Sequence, residues 1–96
     1  MVKFSLEPPA KKFIKKIKDK QLFKKFQEAF NEIIKDYTVG KIKKGDLTGI
    51  YGYDVFYNKT NYEIAYSVEI DEDENIIIIM IGTRENFYKE LKNYLN

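Results

Sequence analysis

The segment from Ile81 to Tyr88, IGTRENFY, contains two side chains that can act together on a phosphate. Arg84 is the one arginine among the 17 basic residues of the chain. Placed four residues apart at a predicted helix start, Arg84 and Tyr88 would share one face of that helix. The free N–H groups of a helix start favour anions, and a guanidinium adds a planar donor fork that matches a phosphate.

Tyr88 extends this pattern from phosphate binding to phosphodiester chemistry. A tyrosine hydroxyl beside a bound phosphate can donate or shuttle a proton. The pair suits attack by a ribose 2′-hydroxyl, with Arg84 stabilising the crowded phosphorus centre. The alternative is an arginine paired with Glu85 or another nearby acid, with Tyr88 half-buried, because surface ion pairs are common. Spacing alone leaves both interpretations open.

Missing residue types narrow the chemistry further. The chain contains no histidine and no cysteine. This excludes an imidazole base, a thiolate nucleophile, a histidine or cysteine metal site and a disulfide framework. The acidic turn at residues 71–75 departs from the EF-hand pattern, because Ile76 and Gly82 stand where that pattern has glycine and glutamate. We therefore expect no metal and no other cofactor.

Charge is divided unevenly along the chain. Residues 1–44 carry thirteen lysines against five acids, whereas residues 45–96 carry four basic residues against ten acids. The basic half predicts a surface for polyanions or an acidic partner, although solvated lysine-rich helices explain it equally well. Lysines close to tyrosine-bearing strands suit single-stranded RNA, in which they contact the backbone while rings stack on bases. The candidate RNA-binding lysines are Lys41, Lys43, Lys44 and Lys59.

Hydrophobic periodicity predicts a strand followed by two helices in the first half. Residues 2–6 alternate between apolar and polar, and Pro8 and Pro9 then suit the first turn of a helix. Apolar residues at spacings of three and four predict helices over roughly 8–18 and 20–36. We expect these helices to pack as a helical hairpin.

The second half changes to strand periodicity. Residues 51–57 and 62–70 alternate, although in the first of these strands Phe56 competes with its tyrosine neighbours for the buried face. The run from Ile76 to Ile81 is apolar on both faces and predicts a central strand that is covered on both sides. Thr83 is predicted to cap a final helix that packs through Phe87 and Leu91.

These elements predict an α+β fold with the order β-α-α-β-β-β-α in one domain over residues 1–96. An antiparallel sheet would carry the N-terminal helical hairpin on one face, and a C-terminal helix would close the fold. The N-terminus lacks the apolar stretch of a signal peptide, and the longest apolar run is far shorter than a membrane span. We expect a cytoplasmic protein with no membrane contact.

Three motifs that follow the basic helical hairpin resemble those of the RelE/ParE toxins of type II toxin–antitoxin systems. They are KKGDLTGIYGY, YEIAYSV and IIIIMIGTRENFY. Together with the hairpin they cover nearly the whole chain in the family's order. The resemblance implies a RelE-like fold, a toxin function and a cognate antitoxin that blocks the site.

In the nuclease members of that family, the toxin enters the ribosomal A site and cuts mRNA by 2′-hydroxyl attack without a metal. The resemblance implies that Arg84 and Tyr88 occupy the late catalytic positions, and that ribosome and mRNA are partners. Two positions depart from the family pattern. Glu63 replaces an expected arginine, on the strand face opposite Tyr62, and Asp54 lies where a basic residue is expected. Acids in an RNA groove repel phosphate, although a carboxylate can also serve as a general base.

These departures keep other functions open. A toxin-fold binding module without catalysis could inhibit DNA gyrase, or could retain only antitoxin binding. A basic RNA-binding domain with no toxin role is a further, weaker alternative.

Overall fold

The computed structural model describes residues 2–96. Its elements are β1 (Val2–Leu6), α1 (Pro8–Lys16), α2 (Lys20–Lys35), β2 (Lys41–Ile42), β3 (Tyr51–Tyr57), β4 (Thr60–Ile70), β5 (Glu74–Thr83) and α3 (Phe87–Leu95). The strands of this part of the chain form a five-stranded sheet in the order β1-β5-β4-β3-β2. The predicted α+β fold is confirmed, and the short strand β2 is an element that periodicity did not reveal.

The sheet combines two kinds of pairing. Strands β2 to β5 pair antiparallel as a meander, with an irregularity between Ala65 and Tyr66 in β4. Strand β1 instead pairs in parallel with β5. Alternation over residues 2–6 indicates which side chains face the core, but it carries no information about which strand lies alongside. The outer position of β1 therefore appears only in the structure.

The helices begin where local chemistry favours them. Two prolines lie in the first turn of α1, where a missing N–H leaves no hydrogen bond unmade. Asp19 caps α2 by accepting hydrogen bonds from the backbone N–H groups of Gln21 and Leu22, at 2.9 and 3.3 Å. Among residues 2–96, no helix combines the length and the apolar character needed to cross a membrane.

Strands β4 and β5 are buried on both faces. The helical hairpin covers one face, where Phe26 and Ile33 of α2 pack on a cluster that includes Ile64. Helix α3 covers the opposite face, where Phe87 and Leu91 belong to a second buried cluster with Ala65, Ile79 and Met80. This two-sided burial confirms the interpretation of the isoleucine run as a covered central strand.

Strand β3 resolves the competition between Phe56 and its tyrosine neighbours. Tyr51 and Tyr53 pack with Val55 against the cluster beneath the helical hairpin. Phe56 points to the other face, with 66% of its surface exposed. Tyr51 and Tyr53 therefore serve the core.

Tyr66 ties the connection between α2 and β2 to the sheet. Its buried hydroxyl donates to the Tyr37 carbonyl at 2.6 Å and accepts from the Gly40 N–H at 3.0 Å. Burial raises the pKa of Tyr66 to about 12, so the hydroxyl keeps its proton and its donor role. Gly40 is required here because a Cβ atom would overlap the Tyr66 hydroxyl and would lie 3.0 Å from the Gly52 carbonyl oxygen. This anchor fixes the chain directly before Lys41.

We predict that Gly40→Ala and Tyr66→Phe destabilise the protein less than additively. Gly40→Ala forces an overlap that costs about 1–3 kcal/mol, and Tyr66→Phe removes hydrogen bonds worth about 1–2 kcal/mol. In the double variant the new methyl group no longer meets a hydroxyl. The loss of stability should therefore be smaller than the sum of the losses in the two single variants. Denaturant unfolding of the three variants measures the coupling. Strict additivity would contradict the proposed close contact.

Candidate functional site

Arg84 lies in the loop between β5 and α3, and the predicted helix cap at Thr83 is wrong. Thr83 ends β5, and the Arg84 N–H donates to the Asn61 carbonyl of β4 at 3.0 Å. This cross-strand bond keeps the chain paired with β4 beyond Thr83, and α3 begins only at Phe87. Arg84 and Tyr88 therefore do not share a helix face. The anion preference of a helix start does not apply to Arg84.

Arg84 nevertheless meets two of the predicted RNA-binding lysines. A cavity of about 320 Å³, here called the cationic cavity, lies above β3 and β4 on the α3 side of the sheet. Its lining residues are Val39, Lys41, Lys43, Gly52, Tyr53, Asp54, Glu63 and Arg84. The structure thus brings Lys41, Lys43 and Arg84 together from distant parts of the chain.

The remaining predicted lysines lie elsewhere. Lys44 and Lys59 are exposed and stand outside the lining of the cationic cavity. Lys59 belongs to the turn between β3 and β4, where its backbone adopts a left-handed conformation with φ of 65°. Arg84 forms no ion pair with any acid of residues 2–96, so the expected alternative of a pair with Glu85 is not observed.

Tyr88 reaches the cationic cavity through Glu63. Its hydroxyl donates a hydrogen bond of 2.8 Å to Glu63 Oε2. Glu63 has only 2% of its surface exposed. It lies on the face opposite Ile64, as the sequence predicted, and the structure shows that α3 covers this face. The Lys43 Nζ atom lies 4.8 Å from the centre of the Tyr88 ring, within the range of a cation–π contact. Tyr88, Glu63 and Lys43 therefore form one contiguous group.

Glycines make room for this group. A Cβ atom at Gly52 would lie 2.8 Å from Lys43 Cε, 3.0 Å from Glu63 Oε2 and 3.1 Å from the Tyr88 hydroxyl. Gly82 stands opposite Glu63 in the β4–β5 register. Glycine inside a strand often marks a close approach of other groups. The glycine within YGYD, inside a strand and between two tyrosines, is the sequence signal for this close approach.

The environment of Glu63 changes its acidity. Burial raises the pKa of Glu63 to about 7, and the Asp54 carboxyl, its cross-strand neighbour in β3, acts in the same direction. The hydrogen bond from Tyr88 and the charge of Lys43 act in the opposite direction. Near neutral pH, Glu63 is therefore divided between its charged and neutral forms.

The pKa of Tyr88 is also raised, so its hydroxyl stays protonated near neutral pH. Burial raises the pKa of Tyr88 far above its usual range, and the hydrogen bond to Glu63 adds to this. The charge of Arg84 lowers the pKa of the same hydroxyl, which places the guanidinium within electrostatic reach of Tyr88. The arrangement offers cations for an anion, with a tyrosine–carboxyl pair that can move a proton. Within residues 2–96, no group of three or more acids is arranged to hold a metal ion.

Comparison with known proteins identifies the family. A model of ParE-like toxins of type II bacterial toxin–antitoxin systems matches residues 5–92. The chain belongs to this family. No curated protein sequence matches the chain. The ParE-like toxin also resembles solved structures from E. coli, whose low sequence identity makes the likeness one of fold.

One similar structure is a mutant of the E. coli toxin RelE in the free state. It is 17% identical, with a TM-score of 0.70, and the match covers 94% of this chain and 90% of that one. Another is the intact E. coli RelBE toxin–antitoxin complex. It is 18% identical, with a TM-score of 0.64, and the match covers 83% of this chain and 93% of that one. These matches agree with the RelE-like fold that the sequence motifs implied.

We predict that Glu63 makes the stability of the toxin fall as pH rises. The pKa of Glu63 is about 7 in the folded protein, above its ordinary value of 4.5. Between these pH values the folded state holds a proton that the unfolded state has released, so the free energy of unfolding decreases with rising pH. Glu63→Gln should remove about 3 kcal/mol of this decrease.

Denaturant unfolding of the wild type and of Glu63→Gln at pH values below 4.5 and above 7 measures the effect. Glu69→Gln is the matched control, because Glu69 is an exposed carboxylate on the same strand. An identical pH dependence in the wild type and in Glu63→Gln would contradict the shifted pKa.

Proposed function

We propose that this toxin is a ribosome-dependent mRNA endoribonuclease that cleaves by attack of a ribose 2′-hydroxyl, a reaction that requires no metal. The observation that carries the proposal is the meeting of Lys41, Lys43 and Arg84 around one cavity that Glu63 also lines, with the Tyr88 hydroxyl hydrogen-bonded to Glu63. These cations suit a phosphate, and the hydroxyl beside them suits proton transfer. The RelE-like fold supports the same assignment.

Arg84 is the group that would stabilise the reacting phosphate. Its guanidinium is exposed, is free of ion pairs within the described residues 2–96, and lines the cationic cavity. A planar donor fork in this position can hold two oxygens of the pentacoordinate centre. Tyr88 would transfer the proton of the attacking hydroxyl, and Lys41 and Lys43 would hold the adjoining RNA backbone.

Lys59 and Lys44 would extend this RNA contact beyond the cavity. Lys59 lies at the β3–β4 turn, close in sequence to Asn61, whose carbonyl accepts the hydrogen bond from Arg84. Lys44 directly follows Lys43, which lines the cavity. An mRNA strand running from Lys44 past Arg84 towards Lys59 would meet positive charge along its path.

The physiological partner of the toxin would be a cognate antitoxin. The similar E. coli structure is a toxin–antitoxin complex, and the family is defined by such pairs. A bound antitoxin that covers the cationic cavity would keep the site from RNA. In that state the toxin would be silent in the cytoplasm.

A second candidate function is inhibition by binding alone, with DNA gyrase as the alternative target. It is favoured by the carboxyl groups of Asp54 and Glu63, which lie in the cavity where phosphate would bind. Supercoiling assays with purified gyrase and translation assays with intact ribosomes separate the two candidates. Inhibited supercoiling with uncut mRNA would favour binding alone.

We predict that Arg84→Ala lowers ribosome-dependent mRNA cleavage by about 10²–10³-fold, because the developing charge on the phosphate loses its best donor. Arg84→Lys should recover only part of the rate, since an ammonium keeps the charge without the planar fork. Mapping of mRNA ends after controlled expression measures the effect, and circular dichroism verifies the fold.

Lys89→Ala is the control for a general loss of positive charge. Lys89 is an exposed cation on α3 that does not line the cationic cavity. It should leave cleavage close to that of the wild type. Full cleavage by Arg84→Ala would remove Arg84 from the mechanism.

A further inference from the structure

The direction of the Tyr88 hydrogen bond determines what its hydroxyl can do. A phenol carries one hydrogen, and in this structure Tyr88 donates it to Glu63 Oε2. The Tyr88 oxygen can then offer only its lone pairs to another group. That oxygen lies next to Gly52, a lining residue of the cationic cavity, because a Cβ atom at Gly52 would be only 3.1 Å from it. A substrate hydroxyl in the cavity would therefore donate to Tyr88.

Neither residue is a suitable base alone. Tyr88 holds its proton tightly, since burial and the Glu63 contact both raise its pKa. Glu63 has the appropriate acidity, but only 2% of its surface is exposed. A proton can reach Glu63 through the Tyr88 hydroxyl, which already bonds to it.

We propose that Glu63 receives the proton of the attacking 2′-hydroxyl through Tyr88, which makes Glu63 a positioning residue and Tyr88 the catalytic group. This inference rests on the proposed nuclease function. The 2′-hydroxyl proton moves to the Tyr88 oxygen as the Tyr88 proton moves to Glu63 Oε2. The 2′-oxygen forms a bond to phosphorus, and the bond to the 5′-oxygen breaks. The 5′-oxygen keeps the electron pair and takes a proton from water, leaving a 2′,3′-cyclic phosphate and a 5′-hydroxyl.

The charged groups around Glu63 adjust this relay. The Asp54 carboxyl from β3 disfavours the ionised form of Glu63, and Lys43 from the β2–β3 loop favours it. Tyr88 from α3 donates to that form, and Arg84 from the β5–α3 loop acts on the Tyr88 hydroxyl. The relay works only when Glu63 is ionised. The cleavage rate should therefore rise with pH, with a midpoint near the Glu63 pKa of about 7.

Cleavage of mRNA on ribosomes as a function of pH tests the relay. Glu63→Gln keeps an oxygen that accepts from Tyr88 but cannot receive the proton. This variant should cleave about 10²-fold more slowly, and its cleavage rate should lack the rising limb of the pH–rate profile. Tyr88→Phe should show the same loss, and the double variant should lose no more than either, because the two residues act as one unit. Glu69→Gln, on the exposed part of β4, should keep both the wild-type rate and the rising limb.

A carbon NMR titration of the RNA-free protein provides a readout that is independent of activity. The Glu63 carboxyl should titrate near 7, and Tyr88→Phe should raise its pKa further, because the hydroxyl's hydrogen bond lowers it. An ordinary Glu63 pKa that Tyr88→Phe leaves unchanged would overturn the relay, whatever the activity.

The outcomes separate the two proposals. Wild-type cleavage that persists in Glu63→Gln with an unchanged pH profile overturns the relay and leaves the nuclease function in place. Absence of cleavage by the wild-type toxin on ribosomes overturns both. Cleavage with a rising limb that Glu63→Gln abolishes supports both.

Discussion

Strands β4 and β5 are covered on both faces, and this burial determines where the surrounding elements lie. One face needs the helical hairpin, whose Phe26 and Ile33 pack on it, and the other needs α3, which contributes Phe87 and Leu91. Because apolar side chains stand on both sides of β5, neither layer can be removed without exposing isoleucines to water. The site is a consequence of this layering, since α3 carries Tyr88 over the sheet.

Glu63 interrupts the apolar face on which α3 packs. Burying a carboxylate costs free energy unless hydrogen bonds and nearby charges compensate for the lost water. Here the Tyr88 hydroxyl supplies a hydrogen bond, the Lys43 charge supplies electrostatic support, and a raised pKa allows the group to be neutral. The glycine at 52 keeps these groups in contact by leaving out a side chain. An arrangement that costs stability and leaves a proton mobile near neutral pH is typical of functional sites.

The sequence predicted the helices and strands that have long periodic patterns. Alternation also predicted which residues of a strand share a face. The run Ile76–Ile81 predicted a covered strand, and alternation placed Glu63 on the face of β4 opposite Tyr62. The start of α3 was missed because Thr83 has the chemistry of a cap, whereas a tertiary hydrogen bond from the Arg84 N–H continues the pairing with β4. The contact between Tyr88 and Glu63 could not be predicted from the sequence, because it depends on how α3 packs against the sheet. Local patterns record periodicity, and sites depend on contacts between distant segments.

The mixed charge of the cationic cavity would link the proposed substrate binding to protonation. In the proposed complex, Lys41, Lys43 and Arg84 would hold a phosphate, which would bring negative charge close to Glu63 and oppose its ionisation. Binding of the phosphate and binding of a proton by Glu63 therefore favour one another. The proposed chemical step needs the opposite state, with Glu63 ionised. Affinity for RNA should thus be greatest below the Glu63 pKa and the rate of the bound complex greatest above it. In the proposed mechanism, a pKa of Glu63 close to neutrality would serve both binding and cleavage, and replacing Glu63 by arginine would remove this balance together with the relay.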